Sequence, residues 1–450
     1  MTLEVQTVGL LQQALDTLET AFRDLPEFNP PVDLDSLRGV ILEVAERMKD
    51  NYPYPHPFYI GQMLKPPHPV ARLAYTLALW INPNNHALDG GRASSAMEKE
   101  AVADIAKMFG WKRFLGHLCG GGTMANMEGL WISRCLNPGK RIVASSQAHY
   151  THSRLCGALG IPFHAVGCDS RARMDTGELT DLLKKGNVGT VVVTIGTTAT
   201  GSVDPLLEIL ELQEKYGFRI HADAAYGGYF LLVDTLDSDT RAVYDHLSEV
   251  DSIAIDPHKH GLQPYGCGCI LFKDPAVGKF YKHDSPYTYF TSDELHLGEI
   301  SLECSRAGAS AVALWATHRL LPLVTGSRFA SDLGKCVSAA RRLFELVNHD
   351  SRFITGLTPE LDIVVWTARE QSASAASRLC NEIFEEAATR GLHLAKANLP
   401  RSIFSDHWPD LDWDQEQITC FRSCLMKPEH LDWMDRIWET FAAATTAVKK

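Results

Sequence analysis

Apolar residues along this chain follow two rhythms. Over 140–146 (KRIVASS), 189–198 (GTVVVTIGTT), 218–225 (FRIHADAA), 251–256 (DSIAID) and 268–272 (GCILF) they run almost unbroken and stop at Gly, Pro or Asp. Runs this short cannot be helices, and they predict strands buried on both faces, as in a parallel sheet. Between them the apolar positions recur at helical spacing. Over Ser95–Phe109, for example, Val102, Ile105, Ala106 and Phe109 share a face, and Ser95 with Glu98 has the form of a capping box. The alternation predicts an α/β domain with a mainly parallel sheet over residues 71–325. Residues 1–70 open with a helical pattern and become proline-rich at Pro53, Pro55, Pro57, Pro66, Pro67 and Pro69. That composition predicts an arm lying on another surface. In residues 326–450 a long alanine-rich helical segment, LDIVVWTA, ITCFRSCLM and a Trp-rich amphipathic helix predict a smaller α+β domain.

Composition narrows the function classes. The 450 residues carry a formal net charge of -12 and no basic stripe, which argues against a nucleic-acid partner. No run approaches about 18 uninterrupted apolar residues, and the first residues lack the basic start and apolar block of a leader, so no membrane partner is expected. Eleven cysteines, an odd number scattered through apolar stretches such as Cys267 and Cys269, predict reduced thiols and a cytoplasmic protein.

In an open α/β sheet, ligands gather at the carboxyl ends of the strands, so the residues that end these runs carry the chemistry. GGGTMAN (Gly120 to Asn126) has the glycines for a tight turn and the start of a helix, which together present N–H groups and the Thr123 hydroxyl to an anion. No Lys-Ser/Thr follows, so it is not a nucleotide P-loop. Asp223 ends an apolar strand, where a carboxylate needs a cationic or hydrogen-bonding partner to stay ionised. Lys259 directly follows SIAID in a Pro-His-Lys-His setting, and a lysine partly withdrawn from water can attack a carbonyl as a free amine. A glycine turn, a strand-end cap and a surface lysine would each explain one of these residues. Together at one sheet edge they are the three anchors of pyridoxal 5'-phosphate. Gly122 and Thr123 take the phosphate, Asp223 the ring nitrogen, and Lys259 the aldehyde as an internal aldimine. His258 and His260 invite a metal reading, but no third ligand stands at a suitable spacing, and no metal is expected.

Through these residues the chain resembles the group II amino-acid decarboxylases, which are fold-type I pyridoxal-phosphate enzymes. The similar segments are HPFYIGQM (His56 to Met63), NPNNHALDGG, GGGTMAN, SSQAHYTHSR, GTTATGSVDP, HADAAYGG and DPHK. The resemblance implies decarboxylation of an L-amino acid by a homodimer with a shared active site. It also implies that His149 stacks on the cofactor ring and that Thr198, Ala225 and His258 join Asp223 and Lys259 around the cofactor. A tyrosine on a loop after the lysine then gives the proton, with Tyr281, Tyr287 and Tyr289 as candidates. Phe58, Tyr59 and Gln62 would line the substrate side-chain pocket and suggest an aromatic or medium-sized polar amino acid. Arg422 would face a substrate carboxylate, unless it forms a surface ion pair. LECSRAGASAVALW (Leu302 to Trp315) resembles the SRxGA segment of archaeal tyrosine or aspartate decarboxylases and of sphingosine-phosphate lyases. Many animal and plant decarboxylases have a lysine where this chain has Ala313. Two rivals follow: a lyase that breaks Cα–Cβ on the same anchors, and a catalytically silent scaffold. The missing membrane anchor argues against the first, and intact Lys259 and Asp223 against the second.

Overall fold

All five apolar runs are strands in the computed structural model, which describes residues 5–28, 30–282, 301–404 and 408–449. They are β2 (Arg141–Ser145), β4 (Val188–Thr194), β5 (Arg219–Asp223), β6 (Ser252–Ile255) and β7 (Gly268–Phe272). Two shorter strands, β1 (Leu115–Cys119) and β3 (Phe163–Val166), complete a sheet in the order β1-β7-β6-β5-β4-β2-β3. The pairs from β3 through β2, β4 and β5 to β6 are parallel. GCILF departs from the expected direction, because β7 runs antiparallel to both β6 and β1. Residues 256–267, which join β6 to β7, contain no helix, and a parallel crossover is usually made by one.

Register levels the strand ends. Thr194 pairs with Asp223, and Asp223 with Ala254, so the residues after β4, β5 and β6 emerge at a single edge. The helix Gly122–Leu136 lies close over this sheet. A Cβ on Gly129 would stand 2.5 Å from His221 Cε1, so only glycine admits the ring. His221 then bridges the layers through Asn126 Oδ1 and Ser252 Oγ, both at 2.8 Å. Burial brings its pKa down to about 3, which keeps it neutral.

The expected capping box is not formed. The helix begins earlier, as Arg92–Met108 behind Gly91, which leaves Ser95 and Glu98 within it. Glu98 points inward instead. It accepts from Asn85 Nδ2 at 2.6 Å and from Leu118 N at 3.0 Å, and it pairs with Arg306 Nη1 at 2.5 Å. Arg306 also donates to the carbonyls of Leu118 and Asn85, tying the SRxGA segment to β1.

A second, antiparallel sheet has the order β10-β11-β9-β8, formed by β8 (Phe353–Thr355), β9 (Ile363–Ala368), β10 (Ala395–Pro400) and β11 (Gln417–Cys424). Phe353, Trp366, Phe421 and Phe441 meet in its core. The proline-rich segment lies on this sheet. Ile60 N donates to His393 O and Cys424 N donates to Ile60 O, each at 2.9 Å. Farther back, the helix Leu34–Met48 buries none of its residues.

Candidate active site

A cavity of about 530 Å³ opens where β4, β5 and β6 end against the start of the helix Gly122–Leu136. Every residue that sequence reasoning assigned to the cofactor is on its wall, from Gly122 and Thr123 to Thr198, Ala225 and His258.

The glycine loop is cut to the space available. A Cβ on Gly122 would stand 2.7 Å from Asp256 Oδ2, and one on Gly268 of β7 would stand 2.5 Å from the carbonyl carbon of Gly121. Gly121 itself has φ 149, and Gly120 N donates to Glu303 Oε2 at 2.8 Å. Gly121 and Gly122 therefore bring the helix N-terminus to the cavity without side chains of their own, while the Glu303 carboxylate takes the N–H of Gly120.

Asp223, at the end of β5, accepts from His152 Nε2 at 2.8 Å and from Ala225 N at 3.2 Å. Burial alone would raise its pKa. The bond to His152 and that residue's charge, with Lys259 nearby, hold the carboxyl well below the usual range, and it stays ionised. Lys259 Nζ lies 3.0 Å from Asp256 Oδ2. The same oxygen is 3.5 Å from His258 Nε2, while Asp256 Oδ1 is buried with no partner among the described residues. His258 is oriented from its other side by Cys267 O, 2.8 Å from Nδ1. His149 Nδ1 lies 2.5 Å from Thr151 Oγ1, and burial lowers the ring's pKa, leaving a neutral imidazole at the wall.

These residues fit pyridoxal 5'-phosphate. The N–H groups at the glycine turn and the Thr123 hydroxyl suit a phosphate, Asp223 suits a protonated pyridine nitrogen, and Lys259 is the amine for the aldehyde.

The residues expected around the substrate stand apart from this wall. Phe58 packs on Trp433, with ring centroids 5.6 Å apart. Gln62 N donates to Tyr59 Oη at 3.2 Å, and Gln62 Oε1 accepts from Arg422 Nη1 at 3.3 Å. None of the four is a wall of the Lys259 cavity. Arg422 is not a surface ion pair: it is 4% exposed, and its Nε and Nη2 have no partner among the described residues. Tyr281 does not reach the cavity either. Its hydroxyl donates to Glu128 Oε2 at 2.8 Å and its ring meets Trp131 edge-on at 4.9 Å, so the core that buries it withholds it from the site. Tyr287 and Tyr289 lie outside the described residues.

Sequence reasoning missed three residues of the site. Asp256 stands inside the quoted DPHK, and His152 follows His149 by one helical turn. Glu303 belongs to the SRxGA segment and reaches Gly120 across the fold.

The family model for the pyridoxal-dependent decarboxylase conserved domain matches residues 63–369. The L-tyrosine decarboxylase of Enterococcus faecium is 27% identical over 539 aligned residues, covering 90% of this chain and 87% of that protein. A probable L-tyrosine/L-aspartate decarboxylase of Methanoculleus marisnigri is 29% identical over 310 residues, 68% of this chain and 80% of its own. Among solved structures, Oryza sativa TDC with PLP and tryptamine has the same fold, with a TM-score of 0.79 at 16% identity over 100% of both chains.

Proposed function

Because the chain belongs to the pyridoxal-dependent decarboxylase family, whose reaction is the loss of CO2 from an amino acid, we propose the following division of labour among its residues. Pyridoxal 5'-phosphate supplies the conjugated ring that accepts the electron pair left behind by the departing carboxylate. Gly122 and Thr123 bind its phosphate at the helix N-terminus, and Thr198, Ala225 and His258 complete the enclosure. Asp223, buried and ionised, holds a proton on the ring nitrogen. His149 covers one ring face and so helps to fix which Cα bond stands perpendicular to the ring. Lys259 would hold the cofactor through its amine, and Asp256, 3.0 Å away, would pair with that amine when it is protonated. Tyr287 or Tyr289 returns the proton to Cα, a role that rests on the resemblance.

The observation that carries this reading is that Lys259 and the His152-paired Asp223 share one cavity. In the test, the purified protein shows the absorbance of lysine-bound cofactor and releases CO2. Lys259→Ala loses the band, and turnover falls by at least about 1,000-fold. An unchanged spectrum in that variant would overturn the assignment.

The proposed substrate is an aromatic or medium-sized polar L-amino acid. Its support is the resemblance, since Phe58, Tyr59, Gln62 and Arg422 lie off the wall of the Lys259 cavity. An amino-acid panel that includes tyrosine and aspartate, assayed for amine, checks this. Aldehyde released from a β-hydroxy amino compound, with no amine from any member of the panel, would favour Cα–Cβ cleavage instead.

The proposed assembly is a homodimer with a shared active site. Val40, Ile41, Leu42 and Val44 are exposed at 50% or more on a helix that buries nothing, as expected of a surface covered by a second copy. The chain is proposed to divide into an arm over 1–70, a cofactor domain over 71–325 and a small domain over 326–450. The compartment is proposed to be the cytoplasm, because all eleven cysteines are free thiols. No helix among the described residues is long and apolar enough to cross a membrane.

A further inference from the structure

A second cavity, of about 610 Å³, is walled by the proline-rich segment, the first turns of the helix Arg328–His349 and residues 427–429. It shares no wall residue with the Lys259 cavity. Two lysines face it. Lys427 is 5% exposed, donates to Tyr59 O at 2.6 Å and lies 3.4 Å from His430 Nε2. Lys65 donates to Met426 O at 3.0 Å. An ammonium has three donors, so each lysine keeps at least one unspent. The acidic wall residues act on them only from a distance: Asp332 is held by Lys335 at 3.2 Å and Arg328 at 3.7 Å, and Glu429 is exposed. Neither amine has a carboxylate at ion-pair distance among the described residues; burial favours their neutral forms, and an anion seated between them would restore their charge. Arg328, 82% exposed at the rim, adds a third cation. Leu262, Phe329 and Leu333 give the remaining wall an apolar character.

We propose that this cavity binds a small organic anion, a carboxylate or phosphate on a compact apolar body, with its charged end between Lys65 and Lys427. The volume lies within the range of small-molecule sites, and a few convergent charges over apolar walls are their usual composition.

The test is calorimetric titration of phenyl phosphate and of benzoate into cofactor-loaded protein, in which the glycine cradle is already filled. Saturable binding near one equivalent per chain is expected. Lys65→Gln weakens it by about tenfold or more, the loss of one charge-assisted hydrogen bond. Arg328→Ala, a rim change that leaves the core untouched, weakens it by about threefold. Arg422→Ala leaves it unchanged. The probe that binds more tightly identifies the head group as phosphate or carboxylate. Absence of saturable binding by both probes, or binding lost in Arg422→Ala and retained in the Lys65 and Arg328 variants, would overturn the proposal.

Discussion

Asp223 and Lys427 are both about 5% exposed, yet their charges fare oppositely, because among the described residues one has an ion-pair partner and the other has none. Asp223, paired with His152, titrates below its ordinary 3.8. Its contribution to stability is therefore complete above that pH and lost as pH falls through the folded value. The stability advantage of wild type over Asp223→Asn, measured by urea unfolding, is expected to hold constant from about pH 6 to pH 5 and to shrink as pH falls below about 4. Burial, reinforced by Lys65, brings Lys427 down from 10.5 to about 7. Between those values the unfolded chain binds the extra proton, so stability rises with pH, by at most about 1.4 kcal/mol per pH unit. In anion-free buffer, wild type should gain on Lys427→Met between about pH 7 and pH 9. A flat difference would mean that Lys427 stays charged when folded.

Among the elements, the glycine loop and the SRxGA segment behave as one unit, since Glu303 holds Gly120 while Arg306 is anchored beneath β1. Arg306→Met would leave Glu98 buried without its cation and is expected to cost about 3–5 kcal/mol by urea unfolding. Gly122→Ala forces a methyl toward Asp256 and should lower stability by about 1–3 kcal/mol while weakening cofactor retention on dialysis. Sequence legibility divides along the same physical line. β2, β4, β5, β6 and β7 could be read because continuous apolar runs end at Gly, Pro or Asp. β1 (LGHLC) and β3 (FHAV) could not, since each run is only four or five residues long with a histidine inside it, whereas His221 sits in the longer run FRIHADAA; nor does a strand pattern carry a direction from which to read the reversal of β7. Lys259, Asp223 and the glycines could be found because each terminates or follows a run. His152 and Glu303 act on residues 71 and 183 positions away, and only folding creates those pairs.

At the scale of the whole molecule, the apolar residues of the helix Leu34–Met48 cover consecutive positions 40–42, and so lie on more than one of its faces. A helix of this kind needs covering on several sides. Ile41→Glu is expected to shift the protein from dimer toward monomer in sedimentation velocity, and a monomeric wild type would remove the proposed assembly. Composition indicated the two-sheet plan, but not that the proline-rich segment would lie on the second sheet, because backbone bonds such as Ile60 to His393 leave no mark in side-chain pattern. The near-collision of Gly268 with Gly121 has an engineering consequence. The cradle's inner side has no slack for even one methyl, so mutagenesis aimed at bulkier vitamers or new reactions should find no viable solutions there. Room has to come from the open rim, where Thr198 meets solvent, and evolved variants should concentrate their changes on that side.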